Sequence, residues 1–365
     1  MNDSNLDDPQ LFKQYDPEGM LDRIHEVPQQ CQRAWQMALA FDLPQDYAQA
    51  NKVVILGMGG SAIGGDLVSS LAVAEAKLPI LIHRDYNLPA FVDDKTLLIA
   101  SSYSGNTEEI LSSFEQAAET GAKKLVITTG GKLKNIAEAR NLPVFSFDYK
   151  AQPRAALPFS LLPILCFLGK LGFLSDRSAD VTEMVSVLEK LSQKINEGVL
   201  LPHNQAKQLA KRLFGYLPLI YGAGILSDVA RRWKTQLNEN SKAWAFHEVF
   251  PELNHNAVVG YQFPPELASK VMVVLLHSDL LPHRINLRYQ ATCELLDKAK
   301  VSYQIIDGEG TSPLSQIMSL VLFGDYVSYY LAMLYKIDPS PVKAIDYLKE
   351  QLGKDKEQLS EPTNP

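Results

Sequence analysis

Along the first 150 residues, short apolar runs alternate with longer segments of mixed polarity. VVILGM from Val53, PILIH from Pro79, TLLIASS from Thr96, KLVITT from Lys124 and VFSF from Val144 are continuous and mostly rich in β-branched residues, as strands buried on both faces are. The segments between them are long enough for crossover helices, which predicts a mainly parallel sheet covered on both sides. Ahead of these strands, Leu21, Ile24, Val27, Cys31 and Ala34 recur at helical spacing and predict an amphipathic helix over Met20–Ala40. The second half begins with a helical pattern from about Ser178 to Asn196. LPLIYGAGILSDVARRW, from Leu217, then repeats the apolar strand, Gly-x-Gly turn and helix of VVILGMGGSAIGGDL. VMVVLLH and VSYQIID add strands, and Gln316–Leu334 and Val342–Leu352 read as helices. The pattern predicts an α/β protein of two stacked domains, residues 1–150 and 151–353, with a polar tail over 354–365 that is expected to fray.

Composition narrows the class. Hydrophobic residues make up 46% and charged residues 21%, a globular balance, and 365 residues suit two domains of ordinary size. The net charge of -7, with no basic run, excludes a nucleic-acid footprint, so an anionic ligand must be met by local dipoles and a few cations. Cys31, Cys166 and Cys293 lie far apart and form neither a disulfide framework nor a zinc site, which points to a reducing cytosol. The acidic opening MNDSNLDDPQ is unlike a secretory signal. The apolar stretch Ala155–Gly169 carries two prolines and falls short of a membrane span, so a soluble protein is expected.

Two glycine-bearing loops carry candidate chemistry. Gly57-Met58-Gly59-Gly60-Ser61-Ala62 follows a strand and matches the dinucleotide fingerprint G-x-G-x-x-G/A, although Asp85 comes later than the acidic residue that a ribose requires. The same loop reads equally as an anion cradle or as a tight strand-to-helix turn without a ligand. SSYSGNTEE, Ser101–Glu109, stands where TLLIA ends and a helix begins. Ser102, Ser104 and Thr107 offer three hydroxyls around Gly105, and the free N–H groups of a new helix point at whatever occupies such a loop, a geometry suited to a phosphate monoester. Simple N-capping by Ser104 or Thr107 is the alternative, and it needs one hydroxyl. Ligands of open α/β sheets bind beyond the carboxyl ends of strands, so this loop and Gly59-Gly60-Ser61 are expected to line one crevice.

GMGGSAIGGD and SSYSGNTEE resemble the paired loops of sugar isomerase (SIS) domains. LNENSKAWAFHEVFPELNHNAVVG and DPSPVKAIDYLK resemble the bifunctional phosphoglucose/phosphomannose isomerase family, and the likeness covers nearly the whole chain. The resemblance implies two SIS-like, flavodoxin-type doubly wound subdomains and no metal or cofactor. It further implies isomerisation of glucose 6-phosphate, and of mannose 6-phosphate, with fructose 6-phosphate. The rivals are an NAD(P)-dependent oxidoreductase built on Gly57–Ala62 and a sugar-phosphate-binding SIS module that does not react; the latter is expected to carry an output domain such as a helix-turn-helix, for which the short opening leaves no room.

Aldose–ketose isomerisation needs a ring-opening acid–base group, a base that moves a proton between carbons 2 and 1, and a cation beside the enediolate oxygen. The resemblance places the base at Glu239 in LNENSK, which without it reads as a solvated helix-surface glutamate. It places the ring-opening residue at His255 in PELNHNAVVG, a role suited to imidazole, whose reference pKa is about 6.5; without the likeness His255 reads as a loop histidine. Arg154 in QPRAALP, on the segment joining the two domains, takes the place of the enediolate-stabilising arginine. Lys349 shares a helical face with Val342, Ile345 and Leu352 and is assigned as the active-site lysine on the expectation that this face is packed, with Lys343 as the alternative. His247-Glu248 invites comparison with a zinc motif, but Pro251 stands where H-E-x-x-H requires its second histidine. The family likeness also implies a homodimer in which His255 enters the site of the neighbouring subunit.

Overall fold

The computed structural model describes residues 5–360, with side chains through Lys354. All five apolar runs of the first half are strands: β1 Lys52–Leu56, β2 Ile80–His83, β3 Thr96–Ser101, β4 Lys123–Thr128 and β5 Val144–Ser146. They form a fully parallel sheet in the order β2-β1-β3-β4-β5. Side chains alternate across its two faces. Val53, Ile55, Leu97, Ile99, Leu125 and Ile127 enter one core, whereas Val54, Leu56, Leu98, Ala100 and Val126 enter another. Burial on both faces is why the inner strands β1, β3 and β4 read as continuous apolar runs; the edge strands β2 and β5 are apolar in sequence but less buried.

The second sheet contains β6 Leu217–Ala223, β7 Phe246–Phe250, β8 Val271–His277 and β9 Ser302–Asp307, all parallel, in the order β7-β6-β8-β9. Its inner face contributes Met272, Val274 and Leu276 to the same core as Val53 and Ile55, so one apolar interior joins the two sheets. Helices fill that interior: Val27–Ala40, Gly59–Ala72, Pro158–Lys170, Ser178–Ile195 and Pro313–Tyr335. The 23-residue helix Pro313–Tyr335 is long and apolar enough to cross a bilayer, yet its most apolar stretch is wholly buried inside the protein. Pro158–Lys170 follows residue 150 but packs on helices of the first half.

The structure departs from the sequence pattern in several places. The opening helix breaks at Glu26 into Met20–His25 and Val27–Ala40, with Pro28 in the first turn of the second piece, where proline is tolerated. Strand β7, at the edge of its sheet, carries no continuous apolar run: its side chains alternate between exposed and half-buried positions until Phe250. The last helix spans Lys343–Ser360 and so runs through Gly353 into the segment expected to fray; residues 361–365 lie outside the described residues.

Candidate active site

In the first sheet the chain leaves β1 toward β2 and leaves β3 toward β4, so the strand order reverses between β1 and β3. Ligand crevices open at such a reversal, and both glycine-bearing loops emerge there. Helix Gly59–Ala72 follows β1 with Met58 at its N-cap and no side chain capping it. Gly60 lies against the Pro153–Arg154 backbone, where an added Cβ would sit 3.1 Å from the Pro153 carbonyl oxygen and 3.2 Å from the Arg154 Cα. The N–H of Tyr103 donates to Ser61 Oγ at 3.0 Å, which ties the two loops together.

The Ser102–Thr107 loop turns at Gly105 with φ +64°, and a Cβ there would lie 1.8 Å from the Gly130 carbonyl oxygen, so only glycine fits. Thr107 is the N-cap residue of helix Glu108–Gln116, yet its hydroxyl makes no capping bond and pairs with Ser102 Oγ at 2.9 Å. Ser104 is exposed, and its Oγ accepts from the Asn106 N–H at 3.2 Å. The capping alternative therefore does not hold for Thr107. The Ser102 and Thr107 hydroxyls instead pair beside a helix N-terminus, an arrangement that can hold an anion. Tyr103 carries this loop toward the linker: its hydroxyl donates to the Tyr149 carbonyl at 2.5 Å and accepts from the Ala151 N–H at 2.8 Å.

Three residues past Ala151, Arg154 is 2% exposed and makes a dense set of contacts. Its Nε donates to Asn240 Oδ1 at 2.7 Å, and Nη2 donates to the carbonyls of Pro339 at 2.7 Å and Ser340 at 2.9 Å. Nη1 reaches Glu239 Oε2 at 3.3 Å. The fold thus brings together two predicted catalytic residues that lie 85 positions apart. Burial lowers the Arg154 pKa, and the charge of Glu239 opposes that shift. Helix Ser227–Glu239 delivers the carboxylate at its last residue, and Asn240 is fixed in turn by donating to Ser328 Oγ at 3.0 Å. Behind them, Arg232 donates to the Arg154 carbonyl at 2.8 Å and to Asp325 at 3.1 and 3.2 Å. Burial pushes the Asp325 carboxyl up, against the pull of Arg232 and a 2.7 Å hydrogen bond from Gln236.

Glu239 opens onto a cavity of about 590 Å³, whose wall includes Lys242, Asp338, Lys343 and Ile345. Lys343, the alternative lysine, stands at this wall; Lys349 does not line it. The expected packed face is also not found within the chain. Every described side chain from Lys343 to Lys354 is exposed, Ile345 and Leu352 included, because no element among the described residues covers that helix. His255 ends a short 3-10 turn, Glu252–His255, and is exposed. Its flanking asparagines hold the turn: Asn254 bonds Thr292 at 2.9 Å and Arg288 at 3.2 Å, and Asn256 bonds Glu252 at 3.1 Å. Among the described residues no hydrogen bond or ion pair links His255 to Arg154 or Glu239. The sequence reading missed Asn240, Lys242 and the Pro339–Ser340 carbonyls; only the asparagine and lysine left a trace, as neighbours of Glu239 in LNENSK.

A family model described as the bacterial phospho-glucose isomerase C-terminal SIS domain matches residues 202–352. The fold is similar to the C-terminal domain of glucosamine-fructose-6-phosphate aminotransferase from Francisella tularensis, with a TM-score of 0.72 at 14% identity, over 88% of this chain and 98% of that one. Fold and loops together define a protein of two sugar isomerase domains. In sequence the chain is 42% identical over 340 residues to the bifunctional phosphoglucose/phosphomannose isomerase of Caldicellulosiruptor bescii, covering 93% of this chain and 100% of that protein. The enzyme of the same description from Aquifex aeolicus is 37% identical, over 86% of this chain and 94% of its own. The chain belongs to the bifunctional phosphoglucose/phosphomannose isomerase family. That membership displaces the dinucleotide reading of Gly57–Ala62.

Proposed function

We propose that the chain interconverts glucose 6-phosphate and mannose 6-phosphate with fructose 6-phosphate, through ring opening and an enediolate, as a cytoplasmic homodimer. The observation that carries this reading is the Glu239 carboxylate held against the buried Arg154 guanidinium at a cavity mouth, in a chain 42% identical to an enzyme of that description. Glu239 moves the proton between carbons 2 and 1, and Arg154 stabilises the enediolate oxygen. Gly59, Gly60, Ser61, Ser102, Ser104 and Thr107 hold the phosphate, whose remote binding orients the reacting carbons. The active-site lysine comes from the C-terminal helix, with Lys343 at the cavity wall and Lys349, exposed like its neighbours on that helix, open to a second chain.

The direct test is a coupled assay for glucose 6-phosphate formed from fructose 6-phosphate, without added nucleotide; an inactive protein refutes the reading. Replacing Ser104 and Thr107 together by alanine removes two donors to a dianion, each worth roughly 1.5 to 3 kcal/mol. The inhibition constant of a competing sugar phosphate should then rise about 100-fold or more, with the melting temperature nearly unchanged. Unchanged inhibitor affinity would move the phosphate elsewhere.

His255 acts from the neighbouring subunit. Its exposure supports this placement, as do the exposed apolar residues Trp244, Val259 and Phe263 on the same segment. Mixing Glu239→Gln and His255→Ala chains should therefore restore activity, up to about one quarter of wild type for random pairing of a closed dimer. Absence of recovery after verified subunit exchange would mean that both residues act within one chain or that one of them is not catalytic.

A further inference from the structure

Lys242 has no assigned part in the chemistry, yet it stands at the wall of the cavity that Glu239 faces. It follows the catalytic helix in the left-handed conformation, φ +52°, which folds its side chain back over the helix end. Its Nζ donates to the Glu239 carbonyl at 2.6 Å and to the Pro339 carbonyl at 2.9 Å. The Pro339 carbonyl also receives Arg154 Nη2, so the two cations share one acceptor beside one carboxylate. An ammonium has three N–H donors. Two are held by backbone carbonyls, and the third has no partner among the described residues, so it is available to the cavity.

We propose that Lys242 is the proton carrier between the two reacting oxygens of the sugar, acting beside Glu239, which moves the proton between the carbons. This role rests on the isomerase reading and completes its proton balance. In the open aldose, the Glu239 carboxylate takes the carbon 2 proton as the electron pair moves through the new C1–C2 double bond onto the carbonyl oxygen O1. The Lys242 ammonium then gives its proton to O1, forming the enediol. In the second half the neutral Lys242 amine takes the O2 hydroxyl proton, the C2–O2 double bond forms, and the Glu239 carboxyl returns its proton to carbon 1. Both side chains end as they began, and no other reactant is consumed. Throughout, the two backbone carbonyls hold the nitrogen by two N–H groups, which the neutral amine still has.

The surroundings suit a group that must both give and take a proton. Much of the Lys242 side chain is open to solvent. Crowding of the ammonium by protein, and after it the charge of Arg154, nonetheless push the pKa down to about 8, with Asp338 and Glu239 opposing. Arg154 from the interdomain segment, Glu239 from the catalytic helix, Asp338 from the loop before the last helix and Lys343 from that helix are the charged groups around it. A donor with a pKa near the working pH is the efficient one for such a transfer.

The test uses full-length wild type, Lys242→Met and Lys242→Arg with fructose 6-phosphate, measuring kcat and KM against pH. Wild-type kcat should be level through neutrality and fall above pH about 8, as the ammonium form is lost. In Lys242→Met, kcat should drop about 100-fold or more, the lower end of acid–base contributions, with KM little changed and without that alkaline limb. Lys242→Arg keeps donors for both carbonyls but does not release its proton, and it should stay as slow. Wild-type kcat in Lys242→Met overturns the proposal. So does full recovery in Lys242→Arg, which would leave Lys242 a positioning residue. Should Lys242→Met fail to fold, the wild-type profile and Lys242→Arg decide. A wild type without isomerase activity overturns the isomerase reading together with this one, whereas an active wild type with unimpaired variants overturns the lysine's role alone.

Discussion

Glu239→Gln should reduce isomerisation by roughly 10²- to 10⁴-fold, the range associated with loss of a positioned acid–base group, while leaving the fold intact. The amide keeps the shape of the carboxylate and can still accept from Arg154 Nη1, the one hydrogen bond of that carboxylate among the described residues, now at 3.3 Å. Because the Glu239 side chain is 27% exposed, neutralising it strands no fully buried group except through Arg154, which retains Asn240, Pro339 and Ser340 as partners. Thermal melting should therefore shift little. Incorporation of solvent deuterium at carbon 2 should fall in parallel with isomerisation, because both begin with removal of the same proton. Ring opening, assigned to His255, should continue and can be followed by NMR exchange between anomers. Deuterium incorporation near the wild-type rate would place the base on another residue.

Arg154→Leu is expected to be destructive in a different way. The guanidinium is buried and serves Asn240 Oδ1, Glu239 Oε2 and the carbonyls of Pro339 and Ser340 at once. A leucine supplies no donor to any of them. Removing one partner of a buried ionic cluster typically costs about 3 to 5 kcal/mol, since the groups left behind stay out of water without compensation. Activity should fall close to background, for two reasons: the enediolate loses its cation, and the Pro339–Ser340 segment loses its anchor to Glu239. Arg154→Lys separates these causes. A lysine restores the charge, but its single nitrogen cannot reach acceptors spread around a planar fork. Part of the lost melting temperature should return while kcat stays low. A lysine variant with wild-type kcat would show that charge alone, and not the fork, is what the site requires.

Much of the first domain was legible in the chain because its signals are local. A parallel strand covered on both faces must be a continuous apolar run, and β1, β3 and β4 are read directly from that requirement. The glycines of GMGGSAIGGD and SSYSGNT mark turns that a side chain would block, as the Gly130 carbonyl beside Gly105 shows. An edge strand need not carry that signal. β7 has one face partly open to solvent, so FHEVF carries no apolar run and was not read as a strand. The last helix misled for the reverse reason: Val342, Ile345 and Leu352 repeat at helical spacing, but spacing does not say whether the surface that covers such a stripe belongs to the same chain.

What the sequence by itself determined is therefore the set of building units: two parallel α/β sheets, two glycine-bearing turns at strand ends, and the residue types available for acid–base work. Only the tertiary structure decided which of them meet. Arg154 and Glu239 come together because helices from both halves share one interior, a consequence of packing that no window of sequence contains. The Pro339 carbonyl that receives both Arg154 and Lys242 could not have been foreseen at all. Every residue carries such an acceptor, so its place in the chain has no signature, and only the path of the folded backbone determines which carbonyl faces a buried cation.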